Sequence, residues 1–397
     1  MYSKAFIPYG AYYSSPFARW QGSLQNGHSI ELGAATAKRW LATKNIDPKM
    51  FDYLYFGKTV GQKSSFYSAP WAAALIGATH LPGLHVPQAC STSTTCVGLA
   101  ATSIEAGAFV NTFCLMTDRC SNGPHTIWPN PPGPGGEVIS ENWNMDNINE
   151  DPYAGLPMLR TAENVAQKSG WITREDCDEL TLRRYEQYLD SLANDRAFQK
   201  RYMFPIEYKK SKKETALLEA DEGVTRTTKE GVARLKPVIE GGVHTFASQT
   251  HPADGNCAIV VCTREKAREL SSDSGMEIQV VSYGFARAEK AHMAAAPLPA
   301  AKMALEKARI GINDVKVLKT HNPFATNDLY LAREINYDVM KINNYGSSLI
   351  YGHPQGPTTG RGIIEMIEEL VTLGGGYGLL AGCAAGDTGA ALVVKVS

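Results

Sequence analysis

Residues 84–108 read "LHVPQACSTSTTCVGLAATSIEAGA", and "TFCLMTDRC" follows at 112–120. The pattern predicts a short strand that turns at Cys90, a helix that ends near Gly107, and a second strand that is apolar on both faces. Strands of that kind are typical of a buried sheet whose parallel strands are joined by helices. This segment therefore predicts an α/β fold.

The same alternation of strands and helices continues on both sides of this segment. A helical pattern over 31–45 precedes a strand-like run over 51–60, and apolar strands with an amphipathic helix return from residue 257 onward. Residues 121–245 interrupt the alternation with a stretch rich in Asn, Pro and Gly, a pair of polar helices and a basic loop. We interpret this interruption as an insertion that covers a site.

Two segments that lie far apart in the chain share a pattern. Both "HVPQACSTSTT" (85–95) and "KINNYGSSLIYG" (341–352) pass from a strand into a turn of small residues and then into a helix. A repeated supersecondary unit is the sequence signature of an internal duplication. The pattern indicates two similar halves.

Composition excludes several classes of protein. The 397 residues are 44% apolar and 20% charged, with a net charge of −1, which excludes a disordered or fibrous chain. Such a charge gives no support for a nucleic-acid or membrane-surface partner. The N-terminus lacks the layout of a secretory signal, and the apolar stretches are too short to span a bilayer. We therefore expect a soluble, cytoplasmic protein with no nucleic-acid or membrane partner.

The eight cysteines form no C-x-x-C pair and no zinc-site spacing with histidine. We therefore expect no bound metal, reduced thiols, and simple packing for most of them, including Cys96. Cys90 differs because it stands at the start of a helix, where free backbone N–H groups lower a thiol pKa and can hold an oxyanion. From position alone, a reactive thiol and an inert buried thiol are equally supported.

Two loops of small residues carry further candidates. The loop "YGHPQGPTTGRG" (351–362) surrounds one imidazole, His353, which is suited to activating a thiol. The segment "GLLAGCAAGDTGAALVVKVS" (378–397) places Cys383 in a predicted loop between two apolar strands. The alternatives are a turn histidine and a core cysteine.

Several motifs in one order resemble the thiolase superfamily of acyl-CoA condensing and cleaving enzymes, and they span about residues 80–397. They are the Cys90 corner, "GHPQGPTTGR", "CAAGDTGAA", the insertion helices from "MLRTAENVAQKSG", and "ADGNCAIVV". Independent motifs in a shared order carry more weight than any single one.

The resemblance implies the thiolase fold, in which two similar βαβαβαββ halves form five layers, α-β-α-β-α, with an inserted loop domain. On this basis residues 1–120 form the N-terminal half, and residues 121–245 form a loop domain that covers the CoA and acyl site. Residues 246–272 complete the N-terminal half, and residues 273–397 form the C-terminal half.

The resemblance also implies roles for individual residues. Cys90 is the nucleophile that takes the acyl group, His353 activates it, and Cys383 is the acid/base that handles the α-carbon proton or the incoming thiol. An oxyanion hole is implied at His321, His353, and the backbone of Cys90 and Ala385. The expected activity is CoA-dependent thiolysis of a β-ketoacyl-CoA through an acyl-Cys90 intermediate. Coenzyme A is the co-substrate, and no cofactor is bound permanently.

The segment "HNPF" (321–324) departs from the Asn-Glu-Ala-Phe of the classical family. Taken alone, His321 is a loop histidine beside the turn residues Asn322-Pro323. The resemblance places it where thiolases carry an oxyanion-hole asparagine, which marks the chain as a non-classical thiolase. A Cys-His-His set also occurs in ketoacyl synthases, so a condensing enzyme is one alternative. A non-catalytic acyl-CoA-binding subunit is another.

Four residues are expected to contact the acyl-CoA because of their aligned positions: Met158, Ser248, Thr250 and Phe324. Arg226 belongs to a basic patch with Lys209, Lys210, Lys212 and Lys213 and is expected to meet the anionic end of CoA electrostatically. The aromatic N-terminus, which includes Phe17 and Trp20, favours a bulky or aromatic acyl group. The chain also resembles the thiolase subunit of benzoylsuccinyl-CoA thiolase from anaerobic toluene degradation. That enzyme forms benzoyl-CoA and succinyl-CoA. The resemblance further implies a homodimer or larger assembly and a small zinc-ribbon/OB-fold partner subunit.

Overall fold

The computed structural model describes residues 1–397 and confirms the α/β class. The fourteen strands are β1 Tyr12–Ser14, β2 Ala18–Arg19, β3 Tyr53–Gly57, β4 Gly83–Val86, β5 Asn111–Arg119, β6 His125–Pro129, β7 Val138–Asn142, β8 Ile206–Lys209, β9 Thr215–Leu218, β10 Ala253–Cys262, β11 Ile278–Arg287, β12 Val315–His321, β13 Gly376–Ala384 and β14 Thr388–Val396. The twelve α-helices are α1 Ser29–Thr43, α2 Ser68–Ile76, α3 Thr92–Glu105, α4 Trp143–Asn149, α5 Met158–Ser169, α6 Arg174–Arg196, α7 Lys229–Ala233, α8 Arg264–Leu270, α9 Pro297–Ala308, α10 Ala325–Ile335, α11 Ser348–Tyr351 and α12 Thr358–Thr372.

Ten of these strands form two mixed sheets. The first sheet has the order β1-β10-β5-β3-β4, with β2 also paired to β10, and the second has the order β11-β14-β13-β12. In each sheet an antiparallel pair, β10 with β5 and β14 with β13, continues into a parallel neighbour. All ten residues of β10 are buried, which is the burial expected of a strand with layers on both faces.

The helices complete five layers. Helices α1 and α2 cover the outer face of the first sheet, α3 and α12 lie between the two sheets, and α9 covers the outer face of the second sheet. The largest apolar cluster joins residues of α3 and α12 to both sheets. This α-β-α-β-α arrangement of two similar halves confirms the predicted architecture.

Helix α3 lies close to the second sheet because its facing residues are small. A Cβ atom added at Gly98 would lie 2.6 Å from Cγ of Tyr283 on β11. Contacts that short do not occur between unbonded carbon atoms, so glycine is required here by space. The Tyr283 hydroxyl hydrogen-bonds Thr95 Oγ1 at 3.2 Å, one turn before Gly98 on α3.

Residues 121–245 form two hairpins, β6–β7 and β8–β9, and helices α4 to α7. Two fully buried ion pairs join this segment to the C-terminal half: Arg184 on α6 with Asp328 on α10, and Asp221 with Arg361 on α12. A buried charge left without its partner is strongly destabilising. The two pairs therefore hold the insertion in a single position over the end of α12.

The position of Cys383 corrects one sequence expectation. The residue lies inside β13 and not in a loop, and the turn to β14 starts after Ala384. Residues 379–384 are all buried, so alanine and glycine occur there because layers pack closely on the strand. Small residues in a close-packed strand and in a loop give the same sequence pattern.

None of the helices is both long and apolar enough to cross a membrane.

Candidate active site

The corner between β4 and α3 presents Cys90. Ala89 adopts a φ of +44°, a left-handed conformation that costs a non-glycine residue roughly 1–3 kcal/mol. The hydroxyl of Thr92 holds this corner, because it accepts the Gln88 N–H at 2.9 Å and donates to the Ala89 carbonyl at 2.7 Å. Of the eight cysteines, Cys90 alone is partly exposed and the other seven are buried.

His353 lies beside Cys90 in the folded chain. Its Nε2 is 3.0 Å from Cys90 Sγ, and its Nδ1 is 2.7 Å from Thr358 Oγ1. The Thr358 hydroxyl donates to the Pro354 carbonyl at 2.5 Å, so it must accept a proton from Nδ1. His353 therefore carries its proton on Nδ1, and its Nε2 accepts the Cys90 thiol proton.

Burial keeps this pair uncharged. It raises the pKa of Cys90 to about 12, and burial together with the nearby His251 lowers the pKa of His353 to about 3. Position alone left a reactive and an inert thiol equally supported, and in the resting protein the thiol pKa is raised despite the adjacent helix N-terminus. Loss of water around the sulfur outweighs the helix dipole, and the two side chains form a neutral thiol–imidazole pair.

His321 is the third member of this cluster. It ends β12, and its ring centroid lies 4.1 Å from that of His353. Its Nδ1 is 3.0 Å from Ser348 Oγ, while its buried Nε2 has no partner. Burial, followed by the proximity of His353, lowers the pKa of His321 well below its usual value, so this ring is neutral as well.

Cys90, His321 and His353 each offer one potential metal ligand, and these atoms lie within 4.8 Å of one another. Two ligands of a tetrahedral zinc would be separated by about 3.5 Å. The shorter 3.0 Å between Cys90 Sγ and His353 Nε2 is a hydrogen-bond distance. The site is organised as a hydrogen-bonded cluster, and the expectation of no metal stays a prediction.

Cys383 lies directly behind the cluster. Its thiol accepts a hydrogen bond from Asn327 Nδ2 at 3.4 Å, and its carbonyl accepts one from the Ser91 hydroxyl at 3.3 Å. Its pKa is raised well above the usual value, first by burial and then by the proximity of Cys90. Cys383 is therefore a neutral thiol beside the nucleophile candidate.

A cavity of about 390 Å³ opens onto the Cys90–His353 pair. Six of the predicted site residues line it, namely Cys90, Met158, Thr250, Phe324, His353 and Ala385. Residues that sequence reasoning missed also line it, namely Trp143, Asn144, Asn147, Ile148 and Gln355. Most of them belong to α4, inside a stretch whose Asn-rich composition resembles a loop. The sequence predicted that residues 121–245 cover the site, but no sequence signal pointed to a helix here or to these side chains.

The N-terminal aromatic residues divide into two groups. Trp20 lines the cavity, as the sequence interpretation anticipated. Phe6, Tyr12, Tyr13 and Phe17 are buried in the core instead. Aromatic content alone cannot separate these roles, because large rings contribute to cores and to ligand pockets in the same way.

A second cavity, of about 360 Å³, adjoins the first through the shared residue Gln249. Arg226 lines it, together with threonines of the same loop, Phe246 and His251. Ser248 lines neither cavity, since its hydroxyl accepts the Thr245 N–H at 2.9 Å within a buried turn. The basic hairpin β8–β9 contributes no residue to either cavity.

The chain was also compared with known protein families, sequences and structures. Residues 11–265 match the family model described as "Thiolase, N-terminal domain", and residues 276–396 match "Thiolase, C-terminal domain". The chain is 27% identical to a "Probable acetyl-CoA acetyltransferase" of Mycobacterium leprae, over 96% of this chain and 97% of that protein. It superimposes on the crystal structure of human mitochondrial 3-ketoacyl-CoA thiolase with a TM-score of 0.90, at 25% identity and 99% coverage of both chains. The same human enzyme in complex with CoA gives a TM-score of 0.89 at 25% identity, covering 99% of this chain and 98% of that one.

The lowered pKa of His353 predicts that the protein loses stability in acid. In the unfolded chain the imidazole binds a proton below about pH 6.5, while the folded ring stays neutral down to about pH 3. Stability is therefore full above pH 6.5 and falls as the pH is lowered toward 3, by up to about 1.4 kcal/mol per pH unit from this residue.

The measurement is urea unfolding of the wild type and of His353→Gln at about pH 7 and about pH 5. Glutamine does not titrate, so the variant should lose about 2 kcal/mol less between these two conditions. His125→Gln, a change at an exposed histidine on β6, is the matched control and should follow the wild type. Equal losses in all three proteins would contradict the neutral assignment of His353.

Proposed function

The chain belongs to the thiolase family and is an acyltransferase, and we propose that it is a CoA-dependent thiolase that cleaves a β-ketoacyl-CoA. The observation that carries this proposal is the 3.0 Å contact between Cys90 Sγ and His353 Nε2 at the wall of the 390 Å³ cavity. A thiol within hydrogen-bond reach of a neutral imidazole, itself oriented by Thr358, is the arrangement that nucleophilic catalysis needs.

The first half-reaction transfers the acyl group to Cys90. His353 Nε2 accepts the thiol proton as Sγ attacks the β-keto carbon, so charge separates only in the presence of substrate. The tetrahedral oxyanion is stabilised by the backbone N–H groups of Cys90 and Ala385. Its collapse breaks the bond between the α- and β-carbons and leaves an acyl-CoA enolate. The protonated His353 and the Nε2–H of His321 donate to the enolate oxygen.

Cys383 completes the proton balance. Its raised pKa keeps the thiol protonated, so it can donate a proton to the α-carbon of the enolate, and the shortened acyl-CoA leaves. In the second half-reaction, the Cys383 thiolate takes the proton of the incoming CoA thiol. The CoA sulfur attacks the acyl-Cys90 thioester, and the Cys90 sulfur recovers its proton from His353. The enzyme returns to its starting state.

The second cavity is the proposed channel for CoA. It shares the wall residue Gln249 with the reaction cavity, and Arg226 gives it a cation that can pair with the phosphates. Thr250 lines the inner cavity, where its hydroxyl donates to the Ser348 carbonyl at 2.5 Å. Ser248, engaged in its own turn, is the weakest of the expected CoA contacts.

For the acyl group we favour a bulky aromatic substrate such as benzoylsuccinyl-CoA, which would give benzoyl-CoA and succinyl-CoA. The support is the volume of the cavity and its two tryptophans, Trp20 and Trp143. No lysine or arginine lines this cavity, so the substrate carboxylate must be held by neutral donors. Gln355 is suited to that role, because it is a neutral amide at the cavity wall whose side chain contacts the protein at the Thr59 hydroxyl, at 2.9 Å.

A condensing enzyme of the ketoacyl-synthase type is the alternative that one observation favours. His321 and His353 stand side by side next to Cys90, as a Cys-His-His set would. The thiol of Cys383 argues against this alternative, since decarboxylative condensation has no use for a second thiol acid at that place. A purely binding subunit would need neither thiol.

The acyl-enzyme proposal predicts a covalent adduct. Incubation with an acyl-CoA such as benzoyl-CoA, followed by intact-mass analysis, should show one added acyl group on the wild type. Cys90→Ala should show none and should lower turnover by at least about 10³-fold. Cys96→Ala, a change at a buried cysteine on the following helix α3, should keep both adduct and activity. An adduct that survives Cys90→Ala would exclude Cys90 as the nucleophile.

The substrate proposal predicts a preference in thiolysis. With benzoylsuccinyl-CoA and acetoacetyl-CoA as paired substrates and product masses as the readout, kcat/KM should be higher for the aromatic compound. Trp143→Ala should lower that preference by roughly 10- to 100-fold, because the aromatic wall is lost. Trp128→Ala, on the exposed face of hairpin β6–β7, should leave it unchanged. A preference for acetoacetyl-CoA would overturn the aromatic assignment.

The homodimer remains part of the proposal, and strand β4 is the surface that supports it. This strand is the last of the first sheet, Leu84 on it is exposed, and Phe66 nearby in sequence is 97% exposed. An unpaired edge with apolar side chains favours pairing with a second copy.

A small zinc-ribbon/OB-fold partner subunit stays a prediction. The exposed apolar residues Trp128 and Ile139 of hairpin β6–β7 offer a surface for it.

Light scattering tests the dimer directly. The wild type should have twice the mass of one chain. Leu84→Asp should have the mass of a single chain, because it would bury a carboxylate where the β4 edges of two copies meet. Leu217→Asp changes an equally exposed leucine on β9 and should remain dimeric. A wild type that is monomeric at all accessible concentrations would exclude this assembly.

A further inference from the structure

The surroundings of His321 contain a residue that neither the motifs nor the mechanism above uses. Ser348, the first residue of α11, is the only hydrogen-bond partner of the His321 ring. We propose that Ser348 is a positioning residue that fixes the tautomer of His321, holding its single proton on Nε2, toward Cys90 and His353. This inference rests on the proposed function, in which His321 donates to the enolate oxygen.

The Ser348 hydroxyl can form hydrogen bonds in two arrangements. The Ser348 hydroxyl can donate to His321 Nδ1, at 3.0 Å, or to Asn322 Oδ1, at 3.1 Å. In the first arrangement Nδ1 is an acceptor, and the ring proton must be on Nε2. In the second, Nδ1 donates to Ser348 and Nε2 is a bare lone pair. One hydroxyl rotation therefore decides whether His321 can donate a hydrogen bond into the site.

The neighbouring groups favour the first arrangement. Asn322 Oδ1 already accepts the Leu349 N–H at 3.3 Å, so it does not need the Ser348 proton. His321 Nδ1 has no other donor within reach. Ser348 Oγ still receives the Asn322 N–H at 3.3 Å, so Ser348, Asn322 and His321 Nδ1 all keep a hydrogen-bond partner.

The other side of the ring supports the same choice. One ring nitrogen of His321 lies within 4.8 Å of Cys90 Sγ and of a ring nitrogen of His353. Because Nδ1 contacts Ser348 Oγ, the nitrogen assigned to the cluster is Nε2. The Cys90 proton is directed at His353 Nε2, so only lone pairs of the sulfur are left to face His321. A second lone pair on His321 would add electron density to an electron-rich cluster. An Nε2–H instead faces the sulfur favourably, and it is the donor that a developing enolate requires.

A buried ionic anchor holds Asn322 in the required orientation. Its Nδ2 donates to Asp328 Oδ2 at 2.8 Å, which turns its Oδ1 toward Ser348 and Leu349. Arg184 of the insertion reaches the same Oδ2 with Nε at 3.0 Å and Nη2 at 2.9 Å. The chain of contacts thus runs from the insertion helix α6 to the imidazole of His321.

Removal of the hydroxyl should lower the rate of the chemical step. In Ser348→Ala, Nδ1 loses its donor and the proton is free to occupy Nδ1, so kcat should fall roughly 10- to 100-fold while KM for the acyl-CoA changes little. Ser348→Thr keeps the hydroxyl and should recover most of that loss. If Ser348→Ala changes KM alone, or if threonine fails to recover kcat in a folded protein, the positioning role is excluded.

A double-mutant cycle separates tautomer control from general disruption. His321→Gln supplies a side-chain N–H donor whose protonation does not depend on a neighbour. On this background Ser348→Ala should change kcat less than about 3-fold, although it changes the wild type by more. Equal effects of Ser348→Ala on both backgrounds would mean that Ser348 acts through packing, and would overturn the proposal.

A spectroscopic measurement reads the tautomer directly and does not depend on activity. In wild-type protein labelled with ¹⁵N-histidine, the His321 ring, assigned by its loss in His321→Gln, should show a protonated Nε2 and an unprotonated Nδ1. A proton found on Nδ1 overturns the inference.

The acyl-Cys90 adduct distinguishes failure of this inference from failure of the proposed function. Its absence in the wild type refutes the proposed function, whereas an adduct with unchanged kcat in Ser348→Ala refutes this inference alone.

Discussion

The packing of α3 against α12 between the two sheets is the constraint on which the site depends. The two helices begin at the same level: the Thr94 N–H donates to Thr359 Oγ1 at 3.2 Å, and the Ser93 hydroxyl donates to the Gly356 carbonyl at 2.5 Å. A Cβ atom added at Gly360 of α12 would lie 2.9 Å from Ser93 Oγ on α3 and 2.3 Å from Cys257 Sγ on β10, so α12 packs this closely only because the position has no side chain. Residues that precede the two helices are thereby brought together from distant parts of the chain.

The burial of Cys90, His321 and His353 determines their protonation states. Because the cluster lies between two sheets and under the insertion, water is scarce, and the charged forms of Cys90, His321 and His353 are all disfavoured. A neutral site separates charge only when a substrate oxygen can accept hydrogen bonds. That arrangement suits thioester exchange, since a resting thiolate would react with other electrophiles and with oxidants.

The insertion does more than cover the cavity. Helix α4 supplies the aromatic and amide wall through Trp143 and Asn147, and α6 supplies Arg184 to the buried anchor behind His321. Asp221 adds a second buried ion pair with Arg361 at the first turn of α12. The cavity wall and the contacts behind His321 are thus both connected to a segment that interrupts the repeating α/β pattern.

The sequence by itself determined the α/β class, the two halves and the Cys90 and His353 candidates, because strand alternation, helix starts and glycine-rich turns are local patterns. It did not determine whether Cys383 lies in a strand or a loop, since close packing and tight turns both select small residues. It also left the reactive and the inert alternative for the Cys90 thiol open. Only the tertiary structure decided these points, and it alone brought Trp143 and Ser348 to the site. Burial and hydrogen-bond geometry depend on what lies above and behind a residue, and those neighbours come from distant parts of the chain.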